Sequence, residues 1–152
     1  MKHKYENAIE VAESIITELK PACKRICLAG SLRRGKDLVG DIDVVLVPKP
    51  YEFGLLESGI ATIINQWPKL KGELNKKCKL TRRAHPSGIE VDFYIVNEDN
   101  YGYHLAIRTG SESFNKSVLT KTWIRKGFKG MDGYLTKDGK QIPVYEEIDL
   151  FK

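Results

Sequence analysis

Two aspartates separated by one residue, Asp41 and Asp43, are the part of this 152-residue sequence whose type and spacing most directly predict chemistry. The apolar run that contains them, 41–47, is typical of a buried strand, and side chains two residues apart on a strand lie on the same face. Two carboxylates on one face repel each other, and a hard divalent cation between them removes that cost. The pair therefore predicts a metal site, and a solvated acidic pair in a surface turn is the alternative.

A basic, glycine-containing segment precedes the aspartates and is suited to an anion. Gly30 allows backbone N–H groups to approach a phosphate closely, and Ser31 offers a hydroxyl at the predicted start of a short helix. The guanidinium groups of Arg33 and Arg34 match phosphate oxygens, and Gly40 then turns the chain into the strand of the aspartates. An anion site and a cation site so close in sequence together predict phosphoryl transfer.

A third carboxylate, Asp92, interrupts a run of β-branched and aromatic residues over 89–96 that predicts a strand. Proline and glycine in the turn 85–88 predict a hairpin between this strand and 75–83. A lone carboxylate in a central strand is costly unless it is paired or bound to a metal. Asp92 is therefore a candidate third ligand, and an edge-strand aspartate facing water is the alternative.

The combination of Gly30-Ser31, two arginines and Gly40-Asp41-Ile42-Asp43 resembles the signature of the nucleotidyltransferase superfamily. Its form here is closest to the X family of DNA polymerases, the relatives of DNA polymerase beta. Farther along, Thr109-Gly110-Ser111 followed by Phe114-Asn115-Lys116 is similar to the thumb motif of that family. The resemblance covers roughly residues 24–151. It implies an α+β fold, with a nucleotidyltransferase palm of mixed sheet and flanking helices over 1–98 and a small α/β thumb over 99–152.

The resemblance implies a Mg²⁺-dependent enzyme that adds nucleotides to a DNA 3′ end, with synthesis at short gaps as its context. Asp41 and Asp43 would hold two Mg²⁺ ions, for which Mn²⁺ can substitute. Asp92, on a strand next to the one that bears this pair, would complete the metal site beside the 3′-hydroxyl. The implied nucleotide-binding residues are Gly30, Ser31, Arg34, Gly40, Thr109, Gly110, Ser111 and Asn115. The candidate DNA-binding residues are Arg108, Lys116, Lys121, Arg125 and Lys126.

Several helices and turns must position these residues. Apolar residues at steps of three and four from Tyr5 to Leu19 predict an amphipathic helix that Pro21 ends. A second helix is predicted over 53–67, with Pro68 closing it. Short helices are expected over 101–108 and from 111 to about 126, followed by a hairpin with its turn at 137–140.

The chain departs from larger relatives in ways that affect substrate choice. Ile107-Arg108 stands where an aromatic pair is usual, and Leu119 stands where many relatives have an arginine. We also expect weaker DNA binding and no sugar-phosphate lyase activity, because the resemblance includes no lyase domain and no helix-hairpin-helix modules. Alternatives to a DNA polymerase are a template-independent or non-DNA nucleotidyltransferase, acting on RNA, protein or a small molecule, and, ranked last, a non-catalytic nucleic-acid-binding module.

Composition bounds the class of protein. Lys and Arg number 25 against 20 Asp and Glu, a net charge of +5 that suits a polyanionic partner, and 41% hydrophobic residues support a packed core rather than disorder. Three cysteines without framework spacing predict reduced thiols, and three histidines without ligand spacing argue against a zinc site. With no apolar run of membrane-spanning length, we expect a soluble, cytoplasmic protein. We also expect a monomer, and the resemblance implies that its partners are DNA and dNTP.

Overall fold

The computed structural model describes residues 2–49, 59–72, 80–110, 115, 123, 125–131 and 134–147. The chain divides into two compact units, Met1–Val96 and Asn97–Lys152. Strands and helices are mixed in both units, so the predicted α+β class is confirmed at that level. No helix in the described part of the chain is long and apolar enough to cross a membrane.

The first unit is built on a mixed sheet to which the described residues contribute five strands. In spatial order these are β2 (Cys23–Ala29), β4 (Ile42–Pro48), β7 (Glu90–Ile95), β6 (Leu80–Ala84) and β5 (Lys69–Lys71). β4 and β7 are parallel, and the other neighbours are antiparallel. β1 (His3–Lys4) pairs with β3 (Leu38–Val39) in a small separate sheet. Neither that pair nor β5 was predicted from the sequence.

Three helices of this unit are described: α1 (Tyr5–Leu19), the single turn α2 (Gly30–Arg33) and α3 (Gly59–Ile64). The predicted amphipathic helix is confirmed in α1, and a short 3-10 segment at Lys20–Ala22 follows it. No side chain caps the N-terminus of α1, so burial of its apolar face stabilises it, at about 1.5–3 kcal/mol for each fully buried large side chain. That face packs against one face of the sheet, and the shared core includes Ala8, Ala12, Ile15, Leu19, Ile42, Val44, Leu46, Val91 and Phe93.

The second predicted helix is shorter at its C-terminal end than expected. It ends at Ile64 rather than at Trp67, and the N–H groups of Gln66 and Trp67 donate to the carbonyls three residues earlier. A proline disfavours helical backbone in the residue before it, which explains why the chain leaves the helix ahead of Pro68. The beginning of the predicted helix, 53–58, lies outside the described residues.

The second unit contains a 3-10 segment, Glu98–Asn100, and helix α4 (Tyr101–Thr109), which confirms the short helix predicted there. Its described strands are β8 (Phe128–Met131), β9 (Tyr134–Lys137) and β10 (Lys140–Ile142), in the order β10–β9–β8. The core of this unit includes Tyr103, Ala106, Trp123, Leu135 and Val144.

The predicted hairpin turn at 137–140 is confirmed, with φ of 53° at Asp138 and 78° at Gly139. Positive φ at both central residues is typical of the tight turn that matches the twist of two antiparallel strands. The prediction of a single first arm over 127–135 was wrong, because the described residues of that stretch form two paired strands, β8 and β9. The result is a three-stranded sheet in this part of the described chain.

Candidate metal centre

The carboxylates of Asp41, Asp43 and Asp92 come together at one place on the five-stranded sheet. One ligand atom from each lies within 4.8 Å of the others, the only such acidic group in the described residues. Asp43 in β4 is the register partner of Asp92 in β7, and Asp41 immediately precedes β4. The predicted adjacency of the two aspartate-bearing strands is confirmed, and the edge-strand alternative for Asp92 is wrong.

The alternation of residues along β4 and β7 places the carboxylates on the face opposite the helical core. Ile42 and Val44 are fully buried in the core with α1, so Asp43, which lies between them, points to the other face. Val91 and Phe93 flank Asp92 in the same way. Because neighbouring strands lie about 4.8 Å apart, partners in register on one face bring their carboxylates within reach of a single ion.

Gly30 lies directly beside this group. It follows Ala29, the register partner of Asp43 in the antiparallel β2–β4 pair, and its φ is 64°. A Cβ atom at this position would collide with Oδ2 of Asp43 and lie 3.0 Å from its carboxyl carbon. Glycine therefore serves two purposes here: it adopts the left-handed backbone of the turn, and it leaves space for the carboxylate.

The structure also places at this site an arginine that was not predicted from the sequence. Arg82 in β6 is the register partner of Asp92. Its Nε donates to Oδ1 of Asp92 at 2.6 Å and its Nη2 donates to Oδ2 at 2.7 Å. The Nη2 group also lies 3.3 Å from Oδ2 of Asp41, and Nη1 lies 3.5 Å from Oε2 of Glu90.

The ionisation of the site reflects this crowding. Burial, followed by the nearby charge of Asp92, raises the pKa of Asp41 above its ordinary value, against the opposing effects of Arg82 and Lys2. The hydrogen bond with Asp92 raises the pKa of Arg82 further above its already high value. The charged form of Asp41 therefore still carries a cost that a bound cation would remove.

The residues present fit a divalent ion. Carboxylate oxygens are the hard ligands that Mg²⁺ and Mn²⁺ prefer, and Mg²⁺ in phosphoryl-transfer sites needs only one or two carboxylates in addition to water and phosphate. The space left by Gly30 beside Asp43 and the guanidinium already seated on Asp92 and Asp41 both indicate a place where positive charge is stabilised. Asp41 and Asp43 could hold such an ion, with Asp92 as a third ligand.

The predicted anion-binding residues Gly30, Ser31 and Arg34 lie in the segment that links β2 to β3. α2 begins at Gly30 and contains Ser31, and the N–H of Arg34 donates to the carbonyl of Gly30 at 3.2 Å. The Arg34 side chain is exposed, and Gly40 immediately precedes Asp41. The structure thus brings the predicted phosphate-binding turn to the carboxylates through the contact between Gly30 and Asp43.

The predicted nucleotide- and DNA-binding residues of the second unit are only partly described. Arg108 and Thr109 end α4, and the N–H of Gly110 donates to the carbonyl of Ala106 at 3.0 Å. The Nδ2 group of Asn115 donates to the carbonyl of Ile107 at 2.8 Å, so this side chain is attached to the last turn of α4. Arg108, Arg125 and Lys126 are exposed. Ser111, Lys116 and Lys121 lie outside the described residues.

Comparison of the chain with protein-family models and with curated proteins found no match.

Proposed function

We propose that this protein is a metal-dependent nucleotidyltransferase that adds nucleotides to a DNA 3′ end, as an X-family DNA polymerase does. The observation that carries the proposal is the convergence of Asp41, Asp43 and Asp92 on two parallel neighbouring strands, beside the glycine of a Gly-Ser turn. The proposed fold is a nucleotidyltransferase palm followed by a thumb. Carboxylates on two central strands of a mixed sheet are compatible with that palm.

The carboxylate group supplies what nucleotidyl transfer requires of a protein. Asp41 and Asp43 would hold two Mg²⁺ ions, and Asp92 would complete the site of one of them. When bound, two such ions stabilise the attacking and the leaving oxygens of an in-line displacement. Asp92 would also lie near the 3′-hydroxyl as the base that accepts its proton. The bond from the 3′-oxygen to the α-phosphorus forms as the bond to the pyrophosphate oxygen breaks.

The turn after β2 supports the phosphate part of the proposal. Because Gly30 contacts Asp43, a triphosphate that binds the backbone N–H groups of this turn would also lie next to the carboxylates. Ser31 and Arg34 would contact the triphosphate, and Arg34 would neutralise the charge that develops on pyrophosphate. A phosphate-binding turn beside metal-binding carboxylates suits a nucleoside triphosphate that binds together with a metal ion better than it suits a small anion that binds without one.

The acceptor is proposed from charge. The chain has a net charge of +5, and Arg108, Arg125 and Lys126 are exposed in the second unit. Lysine and arginine contacts to a phosphate backbone release counterions, so binding should weaken steeply as salt increases. A gapped DNA duplex is the proposed substrate, and a cytoplasmic monomer is the proposed state.

Primer extension on a duplex with a one-nucleotide gap tests this proposal. With Mg²⁺ and each dNTP and rNTP in turn, the wild-type protein should add the nucleotide that the template specifies. Asp92→Asn should lower this rate at least about 100-fold, because it removes both a metal ligand and the proposed base. Glu10→Gln, which neutralises an exposed carboxylate on α1, is the matched control and should retain the rate.

Two outcomes would contradict the proposal. No addition with any nucleotide would rule out the polymerase, and an unchanged rate in Asp92→Asn would remove the carboxylate group from the chemistry. Addition that ignores the template would instead indicate a terminal transferase.

A further inference from the structure

We infer that Arg82 is a positioning residue that holds Asp92 away from metal in the nucleotide-free protein, so that the first divalent ion binds through Asp41 and Asp43 alone. The second ion would bind only when Asp92 is released from Arg82. This inference depends on the metal site proposed above, and it adds an order of binding and a residue that imposes it.

Arg82 occupies both carboxylate oxygens of Asp92, the atoms that would bind a metal ion. Both carboxylate oxygens of Asp92 accept a hydrogen bond from the guanidinium, at 2.6 and 2.7 Å. Such charged, bidentate hydrogen bonds are roughly twice as strong as neutral ones, and the Asp92 side chain is only 5% exposed. A metal ion that reaches Asp92 must therefore displace the guanidinium or bind beside its positive charge.

The same arginine has a much weaker hold on the other end of the site. Its contact with Asp41 is one longer interaction, 3.3 Å from Nη2 to Oδ2, and the Asp41 side chain is 34% exposed. Asp41 is thus more accessible to a hydrated ion than Asp92 is. Asp41 and Asp92 therefore differ in how readily a metal ion can bind them, because Arg82 binds Asp92 more tightly than it binds Asp41.

Glu90 is an alternative ion-pair partner for Arg82 when Asp92 is released. It lies on β7 two residues before Asp92, its side chain is 51% exposed, and its Oε2 is already 3.5 Å from Nη1. Residues two apart on a strand share a face, so a change of side-chain rotamer suffices to move the guanidinium from Asp92 toward Glu90. The arginine then stays paired while Asp92 turns to the metal.

A role of Arg82 through its charge alone makes a different prediction about metal. If the arginine acted only through its charge, Arg82→Lys, which keeps that charge, would bind metal as the wild type does. If it competes with metal, its removal leaves an uncompensated negative charge at Asp92, and cation affinity rises. Metal affinity therefore separates the two roles, even when both variants lose stability.

The test is a titration of the full-length, nucleotide-free protein with Mn²⁺ alone, in which the electron paramagnetic resonance signal of free Mn²⁺ reports binding. The wild type should bind one ion tightly. Arg82→Gln should bind a second ion, at least about tenfold more tightly than the wild type does, because it removes a positive charge next to the site of that ion. Arg82→Lys, which keeps the charge but lacks the fork, should fall between them. Lys71→Gln is the control, because it removes the same charge from the register partner of Arg82 on β5 and should bind as the wild type does.

The possible failures are distinct. If the wild type binds no Mn²⁺, the proposed metal site is wrong, and with it the proposed function. If the wild type binds one ion and Arg82→Lys, shown to be folded by circular dichroism, binds metal with unchanged number and affinity, only the role of Arg82 is overturned. Should Arg82→Gln not fold, Arg82→Lys decides the question by the same comparison.

Discussion

Replacement of Gly30 by alanine perturbs the site without touching any charged group. The new Cβ would collide with Oδ2 of Asp43, and the carboxylate would have to move by about 1 Å or more to reach an ordinary van der Waals distance. The left-handed backbone, with φ of 64°, adds a strain of about 1–2 kcal/mol for a residue with a side chain. Gly30→Ala should thus lose both stability and site geometry.

Gly35→Ala separates these two effects. Gly35 has a similar φ of 73°, and a Cβ there would meet nothing within 4 Å. Both variants should therefore lose a similar free energy of unfolding from backbone strain, measured by denaturant titration. In Gly30→Ala alone, the misplaced carboxylate should lower kcat/KM for nucleotide addition by about 100-fold and should weaken Mn²⁺ binding.

Equal behaviour of the two variants would contradict this prediction. If Gly30→Ala adds nucleotides and binds Mn²⁺ as well as Gly35→Ala does, the contact with Asp43 has no bearing on function. A large loss in both variants would instead show that backbone strain in this segment, and not the carboxylate, is responsible.

Three further predictions concern ionisation and packing. Because burial and Asp92 raise the pKa of Asp41, its charged form destabilises the metal-free fold, so Asp41→Asn should raise the Tm at neutral pH in EDTA. That gain should fade as the pH falls through the raised pKa and vanish below the ordinary value of 3.8; a gain that persists at low pH would contradict this cause. Burial raises the pKa of the Cys23 thiol to about 12, so an alkylating reagent at pH 8 should modify Cys23 only after unfolding. Fast labelling of Cys23 in the native protein would contradict this prediction. Gly102→Ala places a Cβ against the backbone of Glu146 and should destabilise the second unit by at least about 1 kcal/mol, whereas an unchanged denaturation midpoint would show that this packing is loose.

The position of the carboxylates could be predicted because their surroundings are locally encoded. Asp41 and Asp43 occupy alternate positions at the start of an apolar strand, and Asp92 interrupts another. A polar residue within such a run has few places to lie other than a shared, solvated or metal-bound face. The parallel pairing that puts Asp43 opposite Asp92 is a long-range contact, and the expectation that these strands are neighbours came from the family resemblance.

Arg82 could not be singled out, because its role depends on register. It is followed by Arg83, which lies on the other face, is 5% exposed and donates to the carbonyl of Trp67. A shift of the hairpin by one residue would exchange the two arginines. The pairing of Ala84 with Glu90 across the turn places Arg82 opposite Asp92. To identify Arg82 from the sequence, the geometry of that turn would have had to be known.

The early end of the second helix had a local cause that the hydrophobic pattern concealed. The apolar spacing continued to Trp67, and Trp67 is indeed buried. However, its backbone lies in a turn that follows the helix and not in the helix itself. Its ring stacks on Phe93 at 5.9 Å between centroids. Burial and helical geometry are separate properties here, and the restriction that Pro68 places on the preceding residue decided the second.

Anomalous X-ray diffraction from crystals grown with Mn²⁺, gapped DNA and a non-hydrolysable dNTP analogue would show directly whether the three aspartates hold the metal ions. We expect two manganese peaks about 3.5–4 Å apart, both bound by Asp41 and Asp43, with Asp92 on one of them and released from Arg82. Manganese elsewhere, or a triphosphate bound away from Gly30 and Ser31 while the pair of Arg82 and Asp92 persists, would contradict this expectation.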